Sequence, residues 1–102
     1  MFARSVSIHV KSNMLSDYTR TFEKDVLPLL RKQNGFKDEI TFSSPSGTDV
    51  TAISLWDNKA NAEAYNSNIY PDVVKTLAGV MDGTPQVQSG EVVNSTIHQA
   101  TA

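Results

Sequence analysis

The chain has 102 residues and no cysteine, and 9 Lys and Arg against 11 Asp and Glu leave a formal net charge of −2. This is the length of one domain, so we expect residues 1–102 to fold as a single unit. The charge argues against binding to nucleic acid or to an anionic membrane, and the lack of thiols excludes disulfides and cysteine catalysis. No apolar run suits a signal peptide or a membrane helix, so we expect a cytoplasmic protein.

The first third of the sequence changes from a strand period to a helix period. Residues 2–11 alternate, with Val6, Ile8 and Val10 on one side and polar residues on the other, which predicts a strand. From Leu15 to residue 30 apolar residues recur every three or four positions, which predicts an amphipathic helix. Pro28 lies within it and lacks a backbone N–H, so we expect a kink or a loosened turn between residues 24 and 28.

The middle of the chain has the pattern of a β-hairpin. Gly35 supplies the stop of the first helix, and residues 36–44 then alternate, with Phe36, Ile40 and Phe42 on one face. The turn-forming run Pro-Ser-Gly-Thr follows, and a second predicted strand ends on Trp56, the only tryptophan.

The second half predicts an interrupted helix and a final strand. A helix capped by Asp57 or Asn58 is expected to break between residues 67 and 70, because Pro71 suits the first turn of a restarted helix. We expect Gly83 to end the second segment. Residues 87–99 then read as a long strand in which Gly90 marks a bulge or a close backbone contact.

The order strand, helix, strand, strand, helix, strand predicts an α+β fold of the ferredoxin-like βαββαβ type, with an antiparallel sheet and two helices on one face. The other face of that sheet mixes Ser, Thr and His with Ala and Val. A second copy of the chain can cover such a face by closing a barrel across a two-fold axis. We therefore expect a homodimer, that is, a dimeric α+β barrel.

One family has a similar sequence pattern. The segment Leu-Leu-Arg-Lys-Gln-Asn-Gly-Phe at 29–36, the strand end Ile-Ser-Leu-Trp at 53–56 and the Ala- and Tyr-containing helix behind it resemble antibiotic biosynthesis monooxygenase proteins. The resemblance extends over nearly the whole chain and implies a dimer with a pocket between the sheet and the helices of each subunit. Several members oxidise electron-rich aromatic compounds with O₂ and without metal or flavin, and others degrade haem.

Most polar groups of the quinone-forming members are missing from this sequence. The resemblance implies a tryptophan at the end of the third strand, and Trp56 matches it. An asparagine four residues earlier is replaced here by Ala52, and two tyrosines are replaced by Thr41 and Ala62.

The haem-degrading members use an asparagine on the first strand and a tryptophan and a histidine on the second helix. The matching positions here are Val6, Tyr65 and Lys75. An ammonium group is not an axial haem ligand, so the resemblance argues against haem degradation, and no cofactor is expected.

The candidate catalytic residues are His9, Tyr65 and Tyr70. His9 and His98 are the only histidines, and a histidine is the natural base for removing a phenolic proton, although His9 also suits a cross-strand or inter-subunit hydrogen bond. Tyr65 and Tyr70 lie near the helix break, where their hydroxyls can face a ligand or reach the surface.

Trp56, Val6, Phe22 and Ile69 are the candidate ligand-contacting residues. Trp56 can stack on an aromatic ligand or pack in the core. The histidines have no acidic partner at metal-binding spacing, so no metal site is expected. Glu91 is a candidate cross-strand partner of Arg4.

These features support two functions. The first is a cofactor-independent monooxygenase acting on a phenolic or polycyclic aromatic substrate. The second is a non-catalytic dimeric module that binds a small apolar or aromatic ligand. An RNA-recognition module has the same element order, but residues 49–56 contain no basic residue and a single aromatic one. An acylphosphatase-like protein needs a phosphate-cradling loop that the sequence lacks.

Overall fold

The computed structural model describes residues 1–97, so His98 and the end of the predicted last strand lie outside the described residues. These residues form four strands, four α-helices and a short π-helical segment. In chain order they are β1 (Phe2–Val10), α1 (Leu15–Thr21), the π-helix (Phe22–Val26), α2 (Leu27–Arg31), β2 (Phe36–Ser43), β3 (Asp49–Trp56), α3 (Lys59–Asn68), α4 (Tyr70–Leu77) and β4 (Met81–Glu91).

The strands form one antiparallel sheet in the order β2-β3-β1-β4. This order confirms the predicted ferredoxin-like arrangement, because the first and third strands are central and each helical unit connects strands on the same sheet. In the central pair Val6 is opposite Ala52 and Ile8 is opposite Val50. Side chains alternate across a strand, so this register sends the even-numbered residues of β1 and β3 to one face.

The helices cover that even-numbered face, and the core lies between the two layers. Val10, Val50 and Trp56 from the sheet pack with Val26 and Leu30 from the first helical unit, which consists of α1, the π-helix and α2, and all five are buried. Trp56 is fully enclosed, and its Nε1 donates a hydrogen bond of 2.9 Å to the Ser54 hydroxyl. None of the helices in residues 1–97 covers the odd-numbered face.

The first helical unit changes its hydrogen bonding where the sequence predicts a disturbance. The π-helix ends at Val26, and Pro28 follows in the first turn of α2. Since proline has no N–H to donate, the turn before it cannot keep regular i to i−4 bonding, and a π segment accommodates the mismatch. Phe22 and Val26 nevertheless both face the core.

The second helical unit consists of α3 and α4, and it breaks at Ile69 as predicted. The Ile69 N–H still donates to the Tyr65 carbonyl, and Pro71 occupies the first turn of α4. The predicted end at Gly83 is wrong. The helix ends at Leu77, and Gly83 lies inside β4 with φ at +87°. The predicted start of the last strand is also too late, because Met81 already pairs with Val10.

An irregularity in the β1–β4 pairing explains this error. The register shifts between Ser7 and His9, where β4 carries extra residues that include Gly83 and Pro85. Glycine and proline in a strand are typical of bulges, and here they imitate a helix stop followed by a turn in the sequence. Gly90 pairs regularly with Ala3, so the bulge predicted there is absent.

Candidate functional site

A cavity of about 50 Å³ lies between the helices and the covered face of the sheet. Its walls are mainly apolar and come from β1, the first helical unit and α4, with Val6, Ile8, Phe22 and Leu77 among them. Polar side chains join this lining from both layers: Arg4, Glu39, Ser54, Tyr18, Tyr65 and Tyr70. An apolar pocket with a few convergent polar groups is the usual form of a small-molecule site.

The polar residues of the sheet form one row across it. Glu39 of β2 is opposite Ser54 of β3, Ser54 is opposite Arg4 of β1, and Arg4 is opposite Ser89 of β4. All four therefore point to the helix-covered face. Two strand spacings separate Glu39 from Arg4, so their backbones are roughly 9–10 Å apart. The row sets a carboxylate and a guanidinium at opposite ends of the cavity floor.

Arg4 is 4% exposed, although charged residues are rarely buried without a partner. Its Nη2 donates a hydrogen bond of 2.7 Å to Asn66 Oδ1 of α3. The guanidinium carbon lies 4.0 Å from the ring centroid of Tyr70 and 5.4 Å from that of Tyr65. Two aromatic faces thus hold the cation by cation–π attraction from the helix layer.

Burial keeps the hydroxyls of Tyr18 and Tyr65 protonated at neutral pH. Burial raises the pKa of Tyr65 to about 12, against a smaller lowering by Arg4. Burial also raises the pKa of Tyr18, and the nearby Glu39 charge adds to that rise. The Tyr70 hydroxyl oxygen is buried and has no hydrogen-bond partner among residues 1–97. A buried hydroxyl without a partner is costly, so this oxygen is suited to a ligand.

Glu39 lies at the boundary between the cavity and a second, more open space. Together with Tyr18 and Phe22 it lines both the cavity and a groove of about 380 Å³ between the first helical unit and β2. Partial burial raises the pKa of Glu39, while a hydrogen bond from the Thr41 hydroxyl lowers it. A carboxylate with a raised pKa is a better proton acceptor than an exposed one.

Four of the sequence-predicted site residues meet at this cavity. Tyr65 and Tyr70 supply ring faces and hydroxyls, and Val6 and Phe22 belong to the apolar wall. Trp56 lies behind Tyr65, with the two ring centroids 5.1 Å apart, and is fully buried away from the cavity. Ile69 packs against the core at the helix break and is not among the lining residues.

His9 is on the other face of the sheet. Its side chain is 72% exposed, and its Nδ1 lies 2.7 Å from Asp49 Oδ1 on the neighbouring strand. Odd-numbered residues of β1 point away from the helices, so the sheet itself separates His9 from the cavity. The position corresponds to the cross-strand contact that the sequence left open and does not support a role for His9 as the base of this site.

Sequence reasoning missed Arg4, Glu39 and Tyr18 as site residues. The expected pairing of Arg4 with Glu91 is wrong, because Glu91 is opposite Phe2 and its Oε2 lies 3.9 Å from the N-terminal nitrogen. One signal was available for Arg4, since it shares the even-numbered phase of Val6 and Ile8. Glu39 gave no such signal, because its inward orientation depends on the pairing of β2 with β3.

Within residues 1–97 no group of three or more His, Asp or Glu side chains is arranged to hold a metal ion. In the same part of the chain no helix is long and apolar enough to cross a membrane.

Solved structures share this architecture at low sequence identity. A monooxygenase from the Streptomyces coelicolor gene ActVA-Orf6, solved in complex with nanaomycin D, is 16% identical, with a TM-score of 0.75 over 92% of this chain and 92% of that chain. SnoaB, a cofactor-independent oxygenase from Streptomyces nogalater, is 9% identical, with a TM-score of 0.77 over 95% of this chain and 97% of that one.

A candidate antibiotic biosynthesis monooxygenase from Bordetella bronchiseptica is 18% identical, with a TM-score of 0.76 over 90% of this chain and 96% of that chain. No model of a known protein family matches the sequence, and neither does any curated protein. At these identities the likeness establishes a shared fold, which confirms the structural part of the sequence resemblance.

Proposed function

We propose that this chain, which has the fold of the antibiotic biosynthesis monooxygenases, is a cofactor-independent oxygenase that acts on a small electron-rich aromatic substrate. The observation that carries the proposal is the apolar cavity into which Arg4, Glu39, Tyr65 and Tyr70 bring polar groups. Such a site excludes water from a reactive anion and holds its oxygen in a fixed orientation. The cofactor-independent SnoaB supports the proposal through its common fold with this chain.

The chemistry requires only the substrate, O₂ and a proton acceptor. A phenolic substrate with an activated methylene, such as an anthrone, loses an acidic proton and becomes an electron-rich anion. The anion gives its electrons to O₂. One oxygen atom becomes the new carbonyl oxygen, and the other leaves as water with the two methylene hydrogens, so that CH₂ and O₂ give C=O and H₂O. No external reductant is needed.

We assign the proton acceptor to Glu39 in place of the predicted His9. The Glu39 carboxylate lines the cavity and has a raised pKa because of its burial. Glu39 also lines the open groove, which gives the accepted proton a path to solvent. The hydroxyls of Tyr65 and Tyr70 serve as hydrogen-bond donors that orient the substrate oxygen.

Binding of a ring system requires the cavity to enlarge. A water molecule needs roughly 10–15 Å³ of such space, so the present volume of about 50 Å³ holds only a few waters. The π-helix and the break at Ile69 interrupt regular hydrogen bonding in the two helical units above the cavity. Segments with interrupted bonding open at low free-energy cost, so we propose that the substrate enters by moving these helices.

We also propose that the chain acts as a homodimer. On the helix-free face, Ile40 is 60% exposed and Phe42 is 58% exposed, beside the partly buried Ile53 and Leu55 of the next strand. A contiguous apolar surface on a sheet is typical of a subunit interface. Packing of this face against a second copy buries these side chains and gives the dimeric barrel expected from the sequence.

A non-catalytic ligand-binding module is the second candidate. Ala52 favours it, because this residue lines the cavity where the resemblance implies an asparagine of the quinone-forming members. A binding module predicts that aromatic ligands raise the melting temperature without yielding product.

The two functions are separated by O₂ consumption with a panel of anthrones and hydroquinones. The oxygenase predicts turnover above the spontaneous rate, a loss of about 100-fold in Glu39→Gln, and smaller losses in Tyr65→Phe and Tyr70→Phe. Arg20→Leu is the control, because Arg20 is an exposed residue that pairs with Asp17 of the same helix. Rates equal to the spontaneous oxidation for every compound would remove the oxygenase.

A further inference from the structure

We propose that the cavity recognises its ligand through an anionic oxygen, a carboxylate or a phenolate, that binds the Arg4 guanidinium and accepts a hydrogen bond from the Tyr70 hydroxyl. The inference rests on the proposed function only in taking the cavity as the ligand site. It adds the chemical class of the group that is recognised and the two residues that recognise it.

Arg4 carries a charge that no nearby carboxylate in residues 1–97 compensates. None of the ion pairs within residues 1–97 includes Arg4, although the residue is almost completely buried. Its neighbours are an amide oxygen and two aromatic rings, which are neutral. A buried cation without a carboxylate partner is strongly destabilising unless an anion joins it. The site therefore has a net positive charge at this end of the cavity.

Several hydrogen-bond donors at Arg4 and Tyr70 remain available to a ligand. A guanidinium carries five N–H groups in a fixed plane that matches a carboxylate bidentately. One of them is directed to Asn66, and the guanidinium carbon lies 4.0 Å from the centroid of the Tyr70 ring. The Tyr70 hydroxyl is a further buried donor without a partner in the described part of the chain. Both residues line the same cavity.

The charges of the sheet row set the orientation of the ligand. Glu39 lies two strands from Arg4, at the other end of the cavity floor. An anionic head is attracted by Arg4 and repelled by Glu39, so the ring of the ligand extends over Val6 and Ile8 towards Tyr18. A neutral aromatic compound has no charge by which Arg4 and Glu39 could orient it.

The other side of Arg4 offers a competing position. Arg4 also lines a groove of about 220 Å³ between α3 and the β1–β4 edge, together with Lys59 and Glu63. Lys59 and Glu63 neutralise each other at 3.6 Å, and Tyr70 does not line this groove. Variants of Tyr70 and Lys59 therefore distinguish the cavity from the groove.

The test is a binding series on one ring system, measured by calorimetry and by the fluorescence of Trp56. The ligands are 2-naphthoate, 2-naphthol, methyl 2-naphthoate and naphthalene. We expect 2-naphthoate, or 2-naphthol once pH has ionised it, to bind about 10- to 100-fold more tightly than the ester and the hydrocarbon. Preference for the carboxylate or for the ionised naphthol identifies which anion the site accepts. Equal binding of all four compounds would overturn the proposal.

The variants locate the effect. Arg4→Leu should lose the anion preference, Tyr70→Phe should weaken it, and Arg4→Lys should keep part of it, because the charge remains but the planar donors do not. Arg4→Leu should melt no lower than the natural chain, since apolar replacement of a buried charge is often neutral or stabilising. Arg20→Leu should bind as the natural chain does. Weaker binding in Lys59→Met with normal binding in Tyr70→Phe contradicts the cavity position.

This outcome is independent of turnover. Anion binding that depends on Arg4, without O₂ consumption for any compound, refutes the oxygenase and supports the inference. Turnover of neutral aromatic compounds that is unchanged in Arg4→Leu supports the oxygenase and refutes the inference.

Discussion

Three glycines allow the energetic effects of backbone conformation and close packing to be separated. Gly35 lies between the first helical unit and β2 with φ at +76°, and Gly83 lies in β4 with φ at +87°. A Cβ added at Gly83 or at Gly79 meets no atom of residues 1–97 within 4 Å, whereas one added at Gly35 comes within 2.1 Å of Asn61 Nδ2. Gly79 has no positive φ. Replacement of Gly83 by alanine therefore tests the effect of a positive φ alone. Replacement of Gly35 tests a positive φ together with a close contact, and replacement of Gly79 tests neither and serves as the control.

The magnitudes follow from these geometries. An L-residue in the left-handed region costs roughly 1–2 kcal/mol, which is the expected loss of unfolding free energy for Gly83→Ala. Overpacking adds about 1–3 kcal/mol for Gly35→Ala. Rotation of the Asn61 side chain moves its amide but not its Cβ, which is 2.8 Å from the added atom. The backbone must therefore shift, and the total is about 2–5 kcal/mol. Gly79→Ala should stay within about 0.5 kcal/mol.

The assay is thermal and urea unfolding followed by circular dichroism. About 1 kcal/mol corresponds to roughly 4–8 °C in a domain of this size, so Gly35→Ala should melt at least about 8 °C lower. The double variant Gly35→Ala with Asn61→Gly should recover the packing part of the loss, apart from a few tenths of a kcal/mol for replacing asparagine by glycine in a helix. A Gly35→Ala protein no less stable than Gly83→Ala would refute the reasoning, because it would show that Asn61 yields without cost.

Other predictions concern single groups. Because burial raises the folded-state pKa of Glu39 above its ordinary value of 4.5, its ionisation destabilises the fold. Glu39→Gln should therefore melt at the same temperature as the natural chain or higher at pH 7. The difference between the two melting temperatures should disappear at pH 4. A lower melting temperature of Glu39→Gln at pH 7 would contradict this prediction. Because burial raises the folded-state pKa of Tyr65 to about 12, the protein should lose stability as the pH rises from 10 to 12. Tyr65→Phe should therefore flatten the plot of unfolding free energy against pH in this range. It should also remove one high-pH step from the phenolate absorbance titration. Phe42→Lys on the exposed sheet face should give monomers in sedimentation experiments while Lys37→Ala does not, and unchanged dimers would remove that face as the interface. His9→Ala should leave turnover unchanged, since the sheet separates His9 from the cavity, and a loss of activity would restore it as the base.

The sequence by itself determined the elements and their order. Alternation in residues 2–10 and 49–56 reports which face of each strand is buried, because successive side chains point to opposite sides. Pro28 and Pro71 marked the disturbed turn and the helix restart, since a missing N–H acts locally whatever the tertiary context. The bulge in β4 was not predictable in this way, because Gly83 and Pro85 have the same local signature as a helix stop and a turn.

Only the tertiary structure decided the site. The position of Glu39 opposite Ser54, and of Ser54 opposite Arg4, depends on the register of three strands, which no local pattern specifies. Arg4 has the phase of the buried residues, yet its charge predicts exposure, and the conflict is resolved by the rings of Tyr65 and Tyr70 from a segment some sixty positions away. Contacts between distant segments follow from packing of the helices on the sheet, and these contacts create the cavity and its charge.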